Sequence, residues 1–215
     1  MIESTIGLIL RTRPLTETSL IVNWLTPDLG RLSTVAKGAR RPKSPFLGKL
    51  DLFYLASFTF TRSRRSELHT LRELSLQETH PSLRQEMGSL KQAAYAAHLI
   101  EQATETETPL PAVYELMRGL LDHLSKQPPQ AQNVFSFELK LLNELGLHPD
   151  WDEGHLKSGT RQAAVMLLQS DWPMLSRLKM SEAQAGELGR FLHGFVVFNL
   201  GRVPKGREAA ITNVA

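Results

Sequence analysis

The chain has 215 residues, of which 41% are hydrophobic, and this is enough for one large domain or two small ones to bury a core. It contains no cysteine, which excludes disulfides, thiol nucleophiles and thiolate metal ligands. There is no run of about 18 apolar residues, and the N-terminus lacks the pattern of a signal peptide, so we expect a soluble cytoplasmic protein.

The formal net charge of +3 is unevenly distributed. Residues 1–80 hold 12 Lys and Arg against 7 Asp and Glu, whereas residues 81–215 carry a net charge of −2. Between Arg11 and Arg65 the ratio is 11 basic to 3 acidic residues. A surface of one sign concentrates an oppositely charged polymer, although such runs also occur on solvated surfaces that bind nothing.

The first 80 residues are predicted to form β-strands. Short apolar runs bounded by turn residues indicate three strands, with Pro27-Asp28-Leu29-Gly30 as the turn between the second and third. The fourth run shows period two around Phe58 and Phe60, which is typical of a half-buried strand. The predicted strands are 5–10, 19–25, 31–36, 50–61 and 68–76. Five strands without an intervening helix favour a small closed barrel of the OB-fold type.

A dense basic segment lies between the third and fourth predicted strands. Gly38, Pro42 and Pro45 disfavour a continuous helix, so we predict that its cations lie on a strand end and an ordered loop. Cations on such a loop attract phosphates. The central candidates are Lys37, Arg40, Arg41 and Lys43. The candidates for extending this basic track across the barrel are Arg11, Arg13, Arg62, Arg64 and Arg65.

The aromatic residues of the barrel allow two interpretations. They are candidates for stacking on nucleic-acid bases, but their spacing within apolar strands favours packing in the core. The residues concerned are Trp24, Phe53, Tyr54, Phe58 and Phe60.

From Pro81 onward the period of the apolar residues becomes helical. Gly146 is placed to cap the third helix, and Ser181 to cap the last one. The predicted helices are 83–105, 111–124, 131–145 and 160–168, with a final one from Ser181. Met87, Leu90, Ala94 and Ala97 are predicted to form the apolar stripe of the first helix. We therefore predict an α+β protein with a barrel at 1–80, a helical domain at 81–201 with an irregular loop near 147–159, and a flexible tail at 202–215.

Five motifs follow one another in the predicted barrel. They are Gly7-Leu8-Ile9-Leu10-Arg11-Thr12-Arg13-Pro14, Glu17-Thr18-Ser19-Leu20, Thr26-Pro27-Asp28-Leu29-Gly30, Val35-Ala36-Lys37-Gly38-Ala39-Arg40-Arg41-Pro42-Lys43-Ser44 and Leu68-His69-Thr70-Leu71-Arg72-Glu73. In order and spacing they closely resemble the N-terminal barrel of the RecO family of recombination mediators. The resemblance covers residues 4–80 and is looser through the helices.

The resemblance implies an OB-fold followed by a helical domain, and a role in DNA repair without bond-breaking chemistry or a catalytic residue. RecO-like proteins bind single- and double-stranded DNA, anneal complementary strands and help to load recombinase together with a RecR-like protein. The resemblance also implies that a groove in the helical domain receives the acidic, aromatic-ended tail of a single-strand-binding protein. Lys140 and Arg118 are the candidate cations for its carboxylate. A cytoplasmic, nucleoid-associated location is expected.

The chain departs from the family at one place. Many members carry a four-cysteine zinc site after the segment that corresponds to Leu145-Gly146-Leu147, and this chain has no cysteine, so no zinc or other cofactor is predicted. Extra packing near Trp151 or a shorter loop is expected to hold the region instead. A rival interpretation is a divalent-metal site formed by His148, Asp150, Asp152, Glu153 and His155. Two alternatives therefore stay open, namely a metal-dependent nuclease and a protein scaffold that does not bind DNA.

Overall fold

The computed structural model describes residues 1–151 and 156–212. The chain divides into two compact units, which differ in secondary structure. The first contains Met1–His80 together with Thr104–Glu115 and includes all five strands, and the second contains the remaining described residues. The predicted α+β class, with a five-stranded barrel followed by a helical region, is confirmed.

The five strands close into a barrel with the order β1-β2-β3-β5-β4. All neighbouring strands are antiparallel except β3 and β5, which pair in parallel across Ser33–Val35. The strands are β1 Ile2–Pro14, β2 Leu20–Thr26, β3 Gly30–Ala36, β4 Leu55–Thr61 and β5 Leu68–Glu78. The fourth strand starts five residues later than predicted because residues 51–54 form a turn, with Phe53 at φ 64°.

The barrel core explains the alternation of apolar and polar residues in its strands. In β4, Phe58 and Phe60 are buried, while Ser57 and Thr59 are only half-buried. Trp24 stacks on Phe58 with 4.0 Å between ring centroids. Aromatic side chains of this size contribute much of the apolar surface that a small barrel can bury.

The second half of the chain is helical. A short 3-10 helix at Pro81–Arg84 precedes the α-helices. These are α1 Met87–Ala103, α2 Pro111–Leu124, α3 Ala131–Glu144, α4 Ser158–Gln169, α5 Trp172–Leu175, α6 Glu182–Leu200 and α7 Arg207–Thr212. Within the described residues, none of these helices is long and apolar enough to cross a membrane.

Two of the predicted helix ends are confirmed. Gly146 has φ 75° and follows α3, where the left-handed conformation favours glycine. Ser181 caps α6 through a capping box with Gln184, in which each side chain bonds the backbone N–H of the other residue. The short helix α5 is also capped by a side chain, because the Asp171 carboxylate accepts a hydrogen bond from the Met174 N–H at 3.0 Å.

The predicted apolar stripe of α1 agrees only in part with its buried face, since Ala97 is buried and Leu90 and Ala94 are half-buried. Met87 is 63% exposed, although the periodicity places it in the stripe. The buried residues of α1 include Gln92, Ala93, Tyr95 and Leu99. Gln92 is buried because its amide donates to the backbone oxygens of Gln130 and Ala210. A polar residue with such partners cannot be recognised from hydrophobic periodicity.

The prediction of a flexible tail from residue 202 is wrong for residues 207–212, which form α7. Arg207 is buried and makes a two-point ion pair with Glu138 of α3, at 2.7 and 2.9 Å. The hydroxyl of Tyr95, in α1, also donates to Glu138. The ordering of α7 therefore depends on a polar network with a partner 69 residues away in sequence, which local composition does not reveal.

Trp151, near which extra packing is expected, is in contact with α6. The ring of Trp151 lies 5.9 Å from that of Phe191 in α6, measured between centroids. Trp151 packs against a buried cluster that contains Leu188 and Leu192 of the same helix. The apolar contact holds the end of the segment after α3.

Candidate nucleic-acid interface

The predicted basic segment is an ordered loop built from successive tight turns. We call residues 37–49 the basic loop. The N–H groups of Arg41, Ser44 and Leu47 donate to the carbonyls of Gly38, Arg41 and Ser44, so that each turn begins where the previous one ends. Pro42 and Pro45 each occupy the second position of one of these turns, where their fixed φ is favourable. The sequence thus orders this loop locally.

Buried side chains anchor the basic loop to the barrel. Ala39 and Phe46 are 6% and 7% exposed and belong to the barrel core. The N–H of Arg40 donates to the carbonyl of Thr18 at 3.0 Å, and the N–H of Gly38 donates to the hydroxyl of Ser19. The basic loop is therefore fixed both to the core and to the connection between β1 and β2.

The four central candidates all project from this anchored loop. Lys37, Arg40, Arg41 and Lys43 are exposed. Within the described part of the chain, none of the four is paired with a carboxylate. Lys49, which is not among the candidates, adds a half-buried fifth cation to the loop, and the loop contains no acidic residue. The result is a dense surface of positive charge on a preformed backbone.

Arg11 and Arg13 are both exposed on β1. In the barrel, Arg11 pairs in register with Asn23 of β2, and Arg13 pairs with Ile21. Asn23 is in turn opposite Ser33 of β3, whose hydroxyl donates to the Asn23 side chain at 3.2 Å. Arg11 therefore lies beside a polar pair of β2 and β3, and Arg13 lies closer to the connection that contacts the basic loop.

Arg62 differs from the four central candidates because its charge is already matched by carboxylates. It is half-buried, with Nε 2.7 Å from Glu3 Oε1, and it also pairs with Glu107. The hydrogen bond from Arg62 lowers the pKa of Glu3, and the bond to Glu3 raises the pKa of Arg62. Arg64 and Arg65 are exposed on the following turn. A role in DNA binding stays a prediction for all three, and it is weakest for Arg62.

His69 completes the network around Glu107. It is buried, and its Nδ1 accepts a hydrogen bond from the Ser63 N–H at 3.2 Å, so the proton of the neutral ring is on Nε2. Nε2 lies 2.6 Å from Glu107 Oε1 and donates to it. Burial alone would raise the pKa of Glu107, but the hydrogen bond from His69 and the charge of Arg62 lower it overall.

Residues 104–108, which we call the strap, reach the barrel after α1. Arg31 of β3 donates through Nε to the Thr104 hydroxyl at 2.8 Å and through Nη2 to the Thr104 carbonyl. The Glu107 N–H donates back to the Arg31 carbonyl at 2.7 Å. Sequence reasoning places the strap at the end of a helix in a domain beginning at residue 81, whereas it belongs to the compact unit of the barrel. In the sequence, the only features that could indicate this packing of the strap are Gly30 and the Pro109-Leu110-Pro111 segment, which ends the preceding helix.

The barrel aromatics lie in the core, as favoured by their spacing. Trp24, Phe53, Phe58 and Phe60 are at most 2% exposed. The indole N–H of Trp24 donates to the hydroxyl of Thr34 at 2.8 Å, so even its polar group is satisfied internally. Tyr54 is half-buried against the core cluster. Base stacking on the four buried rings is incompatible with this packing.

Only part of the rival metal site can be located. His148 and Asp150 line a cleft with Phe191, Phe195 and Phe198. The other proposed ligands, Asp152, Glu153 and His155, lie outside the described residues. The interpretation as a metal site therefore stays untested.

Lys140 and Arg118 are the candidate cations for a partner's carboxylate. Lys140 is half-buried and donates through Nζ to the carbonyl of Leu168 at 2.7 Å, near the end of α4. Burial lowers the pKa of Lys140. Arg118 is also half-buried. A more accessible cation, Arg190, lies at a groove of about 790 Å³ between α6 and residues 203–212.

Comparison with known proteins is consistent along most of the chain. Residues 1–80 match the family described as Recombination protein O N terminal, and residues 84–163 match Recombination protein O C terminal. The chain is 35% identical over 151 residues to the DNA repair protein RecO of Idiomarina loihiensis, covering 67% of this chain and 63% of that protein. It is 31% identical over 143 residues to the RecO of Rhodopirellula baltica, covering 66% and 53%. A match of 28% identity to the RecO of Bacillus pumilus covers 94% of this chain and 81% of the relative.

Proposed function

The chain belongs to the RecO family of DNA repair proteins, and from this we propose that it is a recombination mediator that binds single- and double-stranded DNA and anneals complementary strands. The matched regions span only about half to two thirds of the first two relatives, so the activity of the whole protein is part of this proposal. The observation that carries it is the basic loop, where four exposed cations without carboxylate partners among the described residues project from a fixed backbone.

The proposed mechanism is electrostatic. Lys37, Arg40, Arg41 and Lys43 neutralise phosphates and release the counterions that surround them, which favours binding most at low salt. Two strands held on one positive surface repel each other less, so complementary bases meet more often. Because the basic loop is anchored through Ala39 and Phe46, little backbone entropy is lost when it binds. No bond is made or broken in this scheme.

The direct test replaces Lys37, Arg40, Arg41 and Lys43 with alanine together. We expect a marked loss of single-strand binding and annealing, measured by fluorescence anisotropy of labelled DNA at several salt concentrations. The log–log salt slope is expected to become shallower by about 0.7 for each phosphate that the variant no longer neutralises. The matched control replaces four exposed cations of the helical unit, Lys126, Arg177, Lys179 and Lys205, and changes the net charge equally. Unchanged binding by the folded loop variant at low salt would contradict the proposal.

Smaller variants test how far the basic track extends. R11A/R13A and R64A/R65A each remove two exposed cations. We expect each pair to weaken binding and to flatten the salt slope less than the loop variant does. An unchanged slope for either pair would restrict the interface to the basic loop.

The alternatives have their own outcomes. A metal-dependent nuclease would cleave labelled DNA when a divalent cation is added, and persistent absence of cleavage would remove that interpretation. A scaffold that does not bind DNA would give a flat anisotropy response at every salt concentration.

We also infer that the groove beside α6 receives the acidic, aromatic-ended tail of a single-strand-binding protein. Its lining includes Ile211 and Gly189, and beneath Gly189 lies the buried ring of Phe135, 3.4 Å from where a Cβ atom of residue 189 would be. Arg190 is exposed at the groove and suits a carboxylate. An R190E variant is expected to bind such a peptide about tenfold more weakly, which corresponds to about 1.4 kcal/mol. R177E is the control, and equal loss in both variants would argue against this groove.

A RecR-like protein is the second proposed partner and rests on the family alone. Co-elution of the two purified proteins in size-exclusion chromatography tests it. Separate elution at micromolar concentrations would count against a stable complex.

A further inference from the structure

Leu47 stands out within the basic loop because its side chain points away from the barrel. It is 60% exposed, whereas the neighbouring Phe46 is 7% exposed and belongs to the core. The Leu47 N–H donates to the Ser44 carbonyl at 3.2 Å, and the Lys49 N–H donates to the Phe46 carbonyl at 3.0 Å. The second bond closes a turn over residues 46–49, in which Leu47 is the second residue and Gly48, with φ 71°, is the third. The exposed leucine is thus held in place by two overlapping turns, 44–47 and 46–49.

A single exposed leucine needs no explanation on most surfaces. This one lies in a 13-residue loop that carries five cations and no acidic residue. Phosphates can pair with the cations, but they provide no apolar surface for a leucine side chain to pack against. The apolar surfaces of a nucleic acid are the faces of its bases, which become accessible when a strand is unpaired.

The barrel has few other apolar groups that could contact bases. Its large aromatic side chains Trp24, Phe53, Phe58 and Phe60 are buried. Among the described residues of the barrel unit, the exposed large hydrophobic residues are Met1, Ile2, Leu15 and Leu47. Met1 and Ile2 lie at the start of β1, whereas the connection that contacts the basic loop follows its end. Leu47 is the one of these four that belongs to the basic loop itself.

We propose that Leu47 packs against the bases of a bound single strand and holds neighbouring bases apart while the surrounding cations hold the phosphates. Leucine is among the side chains that proteins insert between bases. Such a contact would present the bases unstacked, so that a complementary strand can pair with them. This inference rests on the proposed DNA binding and adds a residue that acts on bases instead of the backbone.

The experiment separates base contacts from phosphate contacts. Two probes of equal length are used: a single strand containing 2-aminopurine, whose fluorescence rises on unstacking, and a strand of abasic nucleotides with the same phosphates. The wild-type protein is expected to increase the 2-aminopurine fluorescence and to bind the base-containing strand more tightly. L47A is expected to lose the fluorescence increase, to bind this strand about tenfold more weakly, and to bind both strands alike.

The salt slope distinguishes this effect from a change in charge. L47A leaves every phosphate-binding cation in place, so its log–log slope should equal that of the wild type, whereas the slope of the four-cation variant is shallower. I2A is the matched control, because Ile2 is equally apolar and 70% exposed at the other end of β1. L47M should restore part of the fluorescence increase. An unchanged urea midpoint confirms that L47A is folded.

The outcomes also separate this inference from the proposed function. If L47A keeps the fluorescence increase and the preference for bases, the inference is overturned, and a protein becomes the better candidate for contact with Leu47. If the wild-type protein binds both strands equally with a normal salt slope, DNA binding stands and the inference fails. If it binds neither strand, both fail together.

Discussion

Arg62 and Lys37 are both cations of the barrel unit, but their surroundings assign them different roles. Lys37 is exposed, and no carboxylate among the described residues pairs with it. Arg62 bridges Glu3 of β1 and Glu107 of the strap, with its Cζ 5.7 Å from the Phe60 ring centroid. An arginine whose donors are already used by two carboxylates has little left to offer a phosphate. Sequence alone could not separate the two, because the partners of Arg62 are 59 and 45 residues away.

The carboxylates of this network make stability depend on pH. Glu3 and Glu107 have pKa values below the usual 4.5 in the folded protein. A lowered pKa contributes stability above the unfolded value, and this contribution is lost as the pH falls through the folded value. We expect the urea concentration at the unfolding midpoint of the wild type to decrease as the pH is lowered from about 5 to about 3. E3Q/E107Q should have a lower midpoint at pH 7, and its difference from the wild type should shrink on acidification. E17Q, at an exposed position, is the control. A constant difference across this pH range would contradict the assignment.

Gly30 is the residue at which the strap comes closest to the barrel. It has φ 69°, and a Cβ atom at this position would overlap the carbonyl of Thr108. We expect G30A to lower the free energy of unfolding by about 2–4 kcal/mol, because left-handed strain is added to a steric clash. G48A is the matched control, with φ 71° and no atom within 4 Å of the added methyl group, so it should cost only the strain. Equal losses in the two variants, measured by urea unfolding, would show that the contact with Thr108 does not matter.

At the scale of elements, local patterns predict the regular strands and helices well, but they do not predict the long-range polar contacts. Period two identifies β4, and helical spacing with Pro111 identifies α2, because both patterns are local. The predicted stripe of α1 includes the exposed Met87 and misses Gln92, which is buried with hydrogen bonds to backbone oxygens. The helix α7 is not predicted because the burial of Arg207 depends on Glu138. For the basic loop, the positions of proline and glycine indicate an ordered loop. They do not predict that Ala39 and Phe46 enter the core, because this depends on how the barrel closes.

The ion pair that holds α7 gives a test at this scale. Removing one partner of a buried pair leaves an uncompensated charge, so R207M is expected to reduce the free energy of unfolding by about 3 kcal/mol. The double variant R207M/E138L removes both charges and should recover part of this loss. Urea unfolding of the wild type and both variants measures the effect. A double variant less stable than R207M would show that Glu138 has another essential role, for example toward Tyr95.

At the scale of the whole molecule, the family and the α+β architecture can be inferred from motifs in the first 80 residues. The division of the chain into units cannot be inferred in this way, because residues 104–115, which follow α1, belong to the barrel unit. The basic loop is predictable because its four cations are close together in sequence. The proposed role of Leu47 is not predictable from the sequence, because Leu47 is exposed only when Phe46 is the residue that enters the barrel core.

The discontinuous barrel unit predicts how fragments behave. A fragment that ends at His80 lacks Glu107, so Arg62 loses one of its carboxylates and the buried His69 loses its acceptor. Residues 1–80 joined by a flexible Gly/Ser linker to residues 104–115 should therefore have a higher urea midpoint than residues 1–80 alone. The same linked fragment with E107A is the control. Equal midpoints for the fragments with and without residues 104–115 would show that the strap does not stabilise the barrel.

The strap also determines how other chains can approach the sheet. β3 is paired with β2 along its length but meets β5 only at Ser33–Val35, which leaves backbone groups near Arg31 available. Thr106 and Glu107 take this position through a parallel bridge to Arg31 and the hydrogen bond from the Glu107 N–H. A foreign peptide therefore finds no open strand edge there on which to extend the sheet, and neither does a second copy of the protein. Recognition by strand addition is blocked at this edge, and partners of the barrel must use its loops and side chains.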